Sequence, residues 1–368
     1  MTPNPDIHSI IQKFQTKGDY LGAHPYGQGN INDTFVVSFQ GPDGKIQRYI
    51  LQRINKRVFT KPEEVMQNIK RVTDHIKKKI INRGGNPARK TITIVPTLDG
   101  DLCFKSQVDE YWRVYLFLEG ARTYYTAMEY HHYYNCGWLF GEFLTLLIDF
   151  PVSKLFKTIP DFHNPGSRFR EFIASVDRDD QNRAYGIKPE IELICQRKTD
   201  IDRMDNLLKQ GLIPEIVTHN DTKIDNVMVD DKTGEGLCLI DLDTVMPGIS
   251  IFDFGDAVRS GANLAGEDEQ NLLEVKLDLE IFDNLAHGFL DSAHGILSPT
   301  EVDHLVFGTK LITLEQAIRF LTDYLNGDNY YKITRSEQNL DRARTQIALV
   351  IELEKMFDSM QTIIDKYR

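Results

Sequence analysis

The sequence predicts an α+β protein of two lobes, a small β-rich one over residues 1–118 and a large, mainly helical one over 119–368. Three observations carry this. Strand and turn chemistry alternate between residues 34 and 54, apolar residues recur at helical spacing through most of the chain after residue 120, and one compact β island lies at 226–244.

In chain order, Thr34 to Phe39 reads as a strand, Gly41-Pro-Asp-Gly44 as a turn, and Ile46 to Ile54 as the returning strand of a hairpin. Ahead of them, Gly27 and Gly29 sit where a strand should turn tightly. Thr60-Lys-Pro-Glu63 has the form of a capping box with proline in the first turn. Val65, Met66, Ile69, Val72 and Ile76 then mark one face of a helix. Thr91 to Val95 and Trp112 to Leu118 are further strands, with a hinge predicted near Phe117 to Gly120. Beyond it, helices are expected over Tyr125 to Ile148, from a capping box at Ser298-Pro-Thr-Glu301 to Leu325, and over Gln338 to Tyr367.

Composition narrows the function. Over 368 residues, 41% hydrophobic and 26% charged, the chain can bury a substantial core without disulfides. A net charge of −11 argues against nucleic acid as a partner, because a phosphate backbone demands a basic footprint. The cluster from Lys70 through Lys77-Lys-Lys79 to Arg89-Lys90 reads as a solvated helix face, with a cationic rim for a nucleotide as the alternative. No apolar run approaches a membrane span, and no leader pattern opens the chain. Cys103, Cys136, Cys195 and Cys238 lie far apart, so a cytoplasmic protein without disulfides or zinc is expected. His131 and His132, on adjacent helix positions, should point apart and offer no metal site.

The chemistry concentrates in residues 217–244. His219-x-Asp221 is followed by Asn226 five residues after the aspartate and by Asp241 twenty residues after it. The apolar strand Val227 to Val229, a turn at Asp231-Lys-Thr-Gly234 and a second strand Leu237 to Ile240 form a hairpin. That hairpin should place Asn226 and Asp241 at neighbouring strand ends. Phosphoryl transfer from ATP requires this set: one carboxylate to orient the attacking hydroxyl and take its proton, and a carbonyl oxygen with another carboxylate to hold Mg²⁺. Asp221 is therefore the expected base, and Asn226 and Asp241 the expected metal ligands. His219 is expected to brace the loop by hydrogen bonds. Asp253, in Phe252-Asp-Phe-Gly-Asp256, lies too far from Asp221 to be the metal aspartate and is expected to anchor backbone amides near His219.

The aspartate-to-asparagine interval is that of the protein-kinase catalytic loop. With the later Ile240-Asp pair, it resembles the aminoglycoside phosphotransferase and choline kinase superfamily, which implies a bilobal protein-kinase-like fold. Closer likenesses, to the N-acetylhexosamine 1-kinases, run from about Tyr26 to the end of the chain. They lie in His219-Asn-Asp-Thr-Lys223, Ile240 to Gly248, Phe252 to Asp256, Tyr49 to Gln52, Trp112 to Tyr115, Arg319 to Leu325 and Arg344 to Ile347. That resemblance implies ATP-dependent phosphorylation of the anomeric hydroxyl of GlcNAc or GalNAc. It puts Asp221 on the C1 hydroxyl, Asp243 toward the sugar hydroxyls, and Arg319 and Tyr330 among the sugar contacts. Asp323, one turn on, is the alternative partner for Arg319.

The N-terminal lobe departs from the protein-kinase pattern. Gly27 and Gly29 can cover phosphates and Glu119 can offer backbone groups to adenine, but Gln52 stands where a phosphate-pairing strand lysine is expected. Arg53 should face the opposite side by strand alternation. Glu63 and Glu64 both remain open as helix partners. Other readings are a kinase of another alcohol (an aminoglycoside, choline, homoserine or a different sugar) or a non-catalytic nucleotide-binding module.

Overall fold

The computed structural model describes residues 6–27, 31–124 and 129–368. The chain divides into two compact units, residues 1–121 with 156–159, and residues 122–155 with 160–368.

The first unit is built on an antiparallel sheet, in the spatial order Asp19–Pro25, Asp33–Gln40, Ile46–Ile54, Tyr111–Leu116, Ile94–Val95, with Phe104–Lys105 also pairing with Tyr111–Leu116. Alternation assigns its faces. Val37, Tyr49, Leu51, Trp112 and Val114 pack on one side with Ile11 and Phe14 from the N-terminal segment. The hairpin turn closes through the Gly41 amide on the Lys45 carbonyl (2.8 Å), with Gly44 at φ +78° as the sequence predicts. The Ile46–Ile54 strand has its expected bounds.

The Pro62–Asn82 helix buries Val65, Met66, Ile69, Val72 and Ile76, the predicted stripe. Its start differs from expectation. Lys61 is the N-cap and makes no side-chain capping bond, so Thr60 caps nothing; Pro62 with Glu63 and Glu64 in the first turn supports the N-terminus instead.

The second unit is mainly helical. The helices Tyr130–Leu147 and Leu279–Ser292 pack backbone to backbone through glycines. A Cβ on Gly137 would lie 2.2 Å from the Leu285 carbonyl oxygen, and one on Gly288 only 2.0 Å from that of Tyr134. Gly288→Ala should therefore destabilise the chain by roughly 2–3 kcal/mol by forcing the helices apart. A denaturant midpoint equal to that of the parent would refute this close approach.

The Ser298 capping box forms, but on a five-residue helix, Pro299–Asp303. The chain breaks at His304 and restarts as Leu305–Leu325, which buries residues on nearly every face and packs beside Gln338–Lys366. The single helix expected from Ser298 to Leu325 is thus two. Between the helices lie the hairpin Val227–Asp230 with Gly236–Leu239 and the pair Ile216–Thr218 with Met246–Gly248, both antiparallel. Among the described residues no helix is long and apolar enough to cross a membrane. The rings of His131 and His132 lie against each other, centroids 4.0 Å apart and tilted by 35°, rather than pointing apart; no group of three or more His, Cys, Asp or Glu able to hold a metal occurs among the described residues.

Candidate active site

Residue 220 is the keystone of the loop that carries Asp221. The chain leaves the Ile216–Thr218 strand and turns through Asn220 at φ +62°, a left-handed conformation that a non-glycine residue keeps only when its surroundings impose it. The surroundings do. Asp253, in the first turn of the Ser250–Gly261 helix, accepts the His219 amide on Oδ2 and the Asn220 amide on Oδ1, each at 2.8 Å. His163 Nε2 donates to the Asn220 carbonyl (2.9 Å), and the Asn220 side chain donates to the Thr244 carbonyl (3.0 Å). Thr244 returns a bond from Oγ1 to the His219 carbonyl (2.8 Å). Asp253 thus takes the anchoring place expected from the sequence. Burial pushes its pKa up to about 7, against the pull of the two amides.

His219 is fully buried and donates from Nε2 to the Ile240 carbonyl at 3.0 Å. Burial lowers its pKa to about 4, so it sits as a neutral brace between the loop and the hairpin.

Past this clamp, Asp221 is half-buried and accepts the Asn226 side-chain amide on Oδ2 (3.0 Å), while the same Nδ2 reaches the Asp221 carbonyl (2.9 Å). With its NH₂ turned to Asp221, Asn226 keeps Oδ1 as the oxygen that could meet an ion. Burial raises the pKa of Asp221; Lys223 opposes this, and Asp256 and Asp225 reinforce it. Hairpin register then sets the next neighbour. Leu239 pairs with Val227, and the Ile240 amide donates to the Asn226 carbonyl (2.9 Å), so Asn226 stands beside the strand end that carries Asp241. Asp241 is exposed and left-handed, at φ +56°. Asn226 and Asp241 are hard-oxygen donors that could hold a divalent ion whose remaining ligands come from elsewhere.

Lys223 lies in the same motif, two residues past Asp221, and spacing alone gives it no role. It is 3.4 Å from Asp225; burial works against its charge, but Asp225 and Asp221 outweigh it and its pKa is raised.

Asp243 is 3% exposed, in the turn Leu242–Thr244, close enough to His219 to bear on its charge. Arg319 and Tyr330 are brought together, the guanidinium carbon 5.9 Å from the Tyr330 ring, 5.8 Å from Tyr331 and 4.8 Å from Phe162. Arg319 donates to Gln316 Oε1 at 3.0 Å. The pairing with Asp323 does not form. That carboxylate instead accepts the amides of Asn329, Tyr330 and Tyr331 and the side chain of Asn339, shaping the segment that holds Tyr330. One turn before Arg319, Glu315 is fully buried and meets His163 Nδ1 at 2.8 Å. His163 therefore ties the helix that carries Arg319 to the Asn220 carbonyl. Sequence spacing could not reveal it, since its partners lie 57 and 152 residues away.

In the first unit, Gly27 adopts φ +75°, and Gly29 lies outside the described residues. Gln52 is half-buried, donates to Thr34 Oγ1 (3.0 Å) and accepts from Arg113 Nε (3.0 Å). The carboxylate of Glu119 pairs with Arg48, and its carbonyl accepts from Arg89 at 3.0 Å.

Residues 22–282 match the model of the phosphotransferase enzyme family. Among solved structures, an aminoglycoside phosphotransferase from Alicyclobacillus acidocaldarius superposes at a TM-score of 0.64 with 12% identity, covering 100% of this chain and 98% of that one. Choline kinase from Cryptosporidium parvum gives 0.55 at 13% identity, over 94% and 92% of the two chains. A spectinomycin phosphotransferase, solved with ADP and spectinomycin, gives 0.58 at 14% identity, over 92% and 94%. The likenesses support the α+β protein-kinase-like fold, and the family match extends over most of the chain: it belongs to the phosphotransferase enzyme family.

Proposed function

We propose that the chain transfers the γ-phosphoryl group of ATP to the anomeric hydroxyl of an N-acetylhexosamine, giving the sugar 1-phosphate. The observation that carries this reading is the contact of Asp221 with Asn226 beside Asp241 on a loop locked from four sides. In it Asp221 orients the sugar hydroxyl and takes its proton. Asn226 and Asp241 would hold Mg²⁺, which when bound would neutralise charge on the phosphate oxygens. Gly27, Gly29, Gln52 and Glu119 are assigned to the nucleotide, and Asp243, Arg319 and Tyr330 to the sugar.

The Arg319 cluster favours a polyhydroxyl substrate over a quaternary ammonium. Its aromatic rings, Phe162, Tyr330 and Tyr331, already surround a cation belonging to the protein. An aromatic cage for choline would have to be empty of one. A guanidinium held this way offers hydroxyl and amide oxygens a rigid fork of donors.

The test is ADP release with MgATP against GlcNAc, GalNAc, choline, homoserine and an aminoglycoside, with the product read by ³¹P NMR. An anomeric phosphate on the N-acetylhexosamines is expected. Turnover of another alcohol alone would discard the sugar and keep the kinase, and silence on all of them despite ATP binding would favour a binding module.

A further inference from the structure

The strand position that should carry a lysine for the nucleotide phosphates carries Gln52, which is neutral. Three features of the first unit show where a charge stands instead. Strand register sets Gln52 opposite Thr34 on one side and opposite Arg113 on the other. Its amide is held from both: Arg113 Nε donates to Oε1 at 3.0 Å, and Nε2 donates to Thr34 Oγ1 at 3.0 Å. Arg113 itself is 1% exposed, with its guanidinium carbon 5.2 Å from the Tyr115 ring and Nη1 3.9 Å from Met66 Sδ.

The other candidates lie elsewhere. Arg53 projects to the opposite face, 5.8 Å over the Trp112 ring, and is bonded to Asp33 (2.9 Å from Nε) and Glu110 (2.6 Å). On the Pro62–Asn82 helix, Glu63 is exposed and Glu64 pairs with Lys61 at 2.9 Å; the side chain that the helix brings to this position is Met66. The strand position thus carries glutamine, with Arg113 on the neighbouring strand beside it and Met66 of the helix against that arginine.

We infer that Arg113 is a positioning residue that supplies, through the Gln52 amide, the positive potential a strand lysine would give the nucleotide phosphates. The inference rests on the nucleotide reading of this unit. Its physics is simple. An N–H⁺ donor on Oε1 draws electron density from the amide and makes the Nε2 hydrogens stronger donors. Thr34 takes one of the two, and fixes the plane in which the other is presented. The cation behind the amide acts at a distance where a buried charge is weakly screened. An arginine behind a glutamine, in place of a strand lysine, also spares the site a flexible, strongly hydrated ammonium.

The experiment compares MgATP with adenosine by calorimetry on the full chain. Arg113→Met and Gln52→Met should each weaken MgATP about tenfold, which is about 1.4 kcal/mol, and change adenosine by less than about threefold. The double variant Gln52→Lys with Arg113→Met, which moves the charge onto the strand position, should recover MgATP affinity. Equal losses for both ligands in Arg113→Met would mean a purely structural arginine and overturn the inference; so would a double variant that recovers nothing. If Arg113→Met does not fold, Gln52→Met decides: an unchanged preference for MgATP over adenosine overturns the inference, and a tenfold loss supports it. A parent chain that binds neither ligand would sink the nucleotide reading itself, and this inference with it.

Discussion

Replacing Asp221 by asparagine is expected to lower turnover by about two to four orders of magnitude while leaving MgATP affinity nearly intact. The substitution is close to isosteric. The Asn226 side chain now donates to Asp221 Oδ2 at 3.0 Å and to the Asp221 carbonyl at 2.9 Å. An amide oxygen at position 221 can accept the first bond, and the second involves only backbone. The loop is also held upstream by Asp253, His163 and Thr244, none of which touches the exchanged atoms. What disappears is the proton acceptor and its charge. Lost turnover with kept nucleotide binding therefore reports chemistry and not collapse. The check is kcat with the preferred sugar beside a calorimetric Kd for MgATP. Turnover within tenfold of the parent would remove Asp221 as the base, and a parallel loss of MgATP binding would place it on the nucleotide instead.

The features legible in the sequence are those whose determinants are local. The Ile46–Ile54 strand and the Val227–Leu239 hairpin announce themselves by alternation and turn residues, and Gln338–Lys366 by a continuous apolar period. Asp253 could be assigned to the loop amides because its distance from Asp221 ruled out the metal role. What escaped has non-local causes. Asp19–Pro25 forms a strand by pairing with Asp33–Gln40, yet no residue in it is fully buried, and an irregularity between Tyr20 and Gly22 breaks the alternation of Tyr20 and Ala23, the side chains it packs on the core, so there is no period-2 face to read. Leu305–Leu325 is separated from Pro299–Asp303 at His304, although the apolar pattern runs on, because packing and not periodicity decides that boundary. Arg113 lies in a strand whose other residues are mostly apolar, and its role depends on Gln52, 61 residues earlier. Asp323 looked like a partner for Arg319 by helical spacing, but the Asn329 to Tyr331 backbone offers it three amides at once, which together outbid a single guanidinium.

Asp253→Ala should cost roughly 3–5 kcal/mol of stability and lower kcat by about a hundredfold in the fraction that remains folded. Two effects add. The amides of His219 and Asn220 would lose their acceptors inside a closed environment, where each unsatisfied donor costs about 1–3 kcal/mol. Asn220, at φ +62°, would lose one of the restraints that keep it left-handed, a conformation worth about 1–3 kcal/mol of strain in itself. Relaxation at residue 220 moves the next residue, Asp221, and displacement of a reacting group by about 1 Å is enough for a hundredfold loss. Asp253→Asn keeps one acceptor oxygen and should fall between the parent and the alanine variant in both quantities. The contribution of His163, which holds the Asn220 carbonyl from the other side at 2.9 Å, is separable, because its bond survives either change. Denaturant unfolding and kcat measured on the same preparations decide the matter. A large loss of stability with unchanged kcat would make Asp253 a buttress of the fold alone, and unchanged values of both would mean that the left-handed turn at Asn220 holds without it.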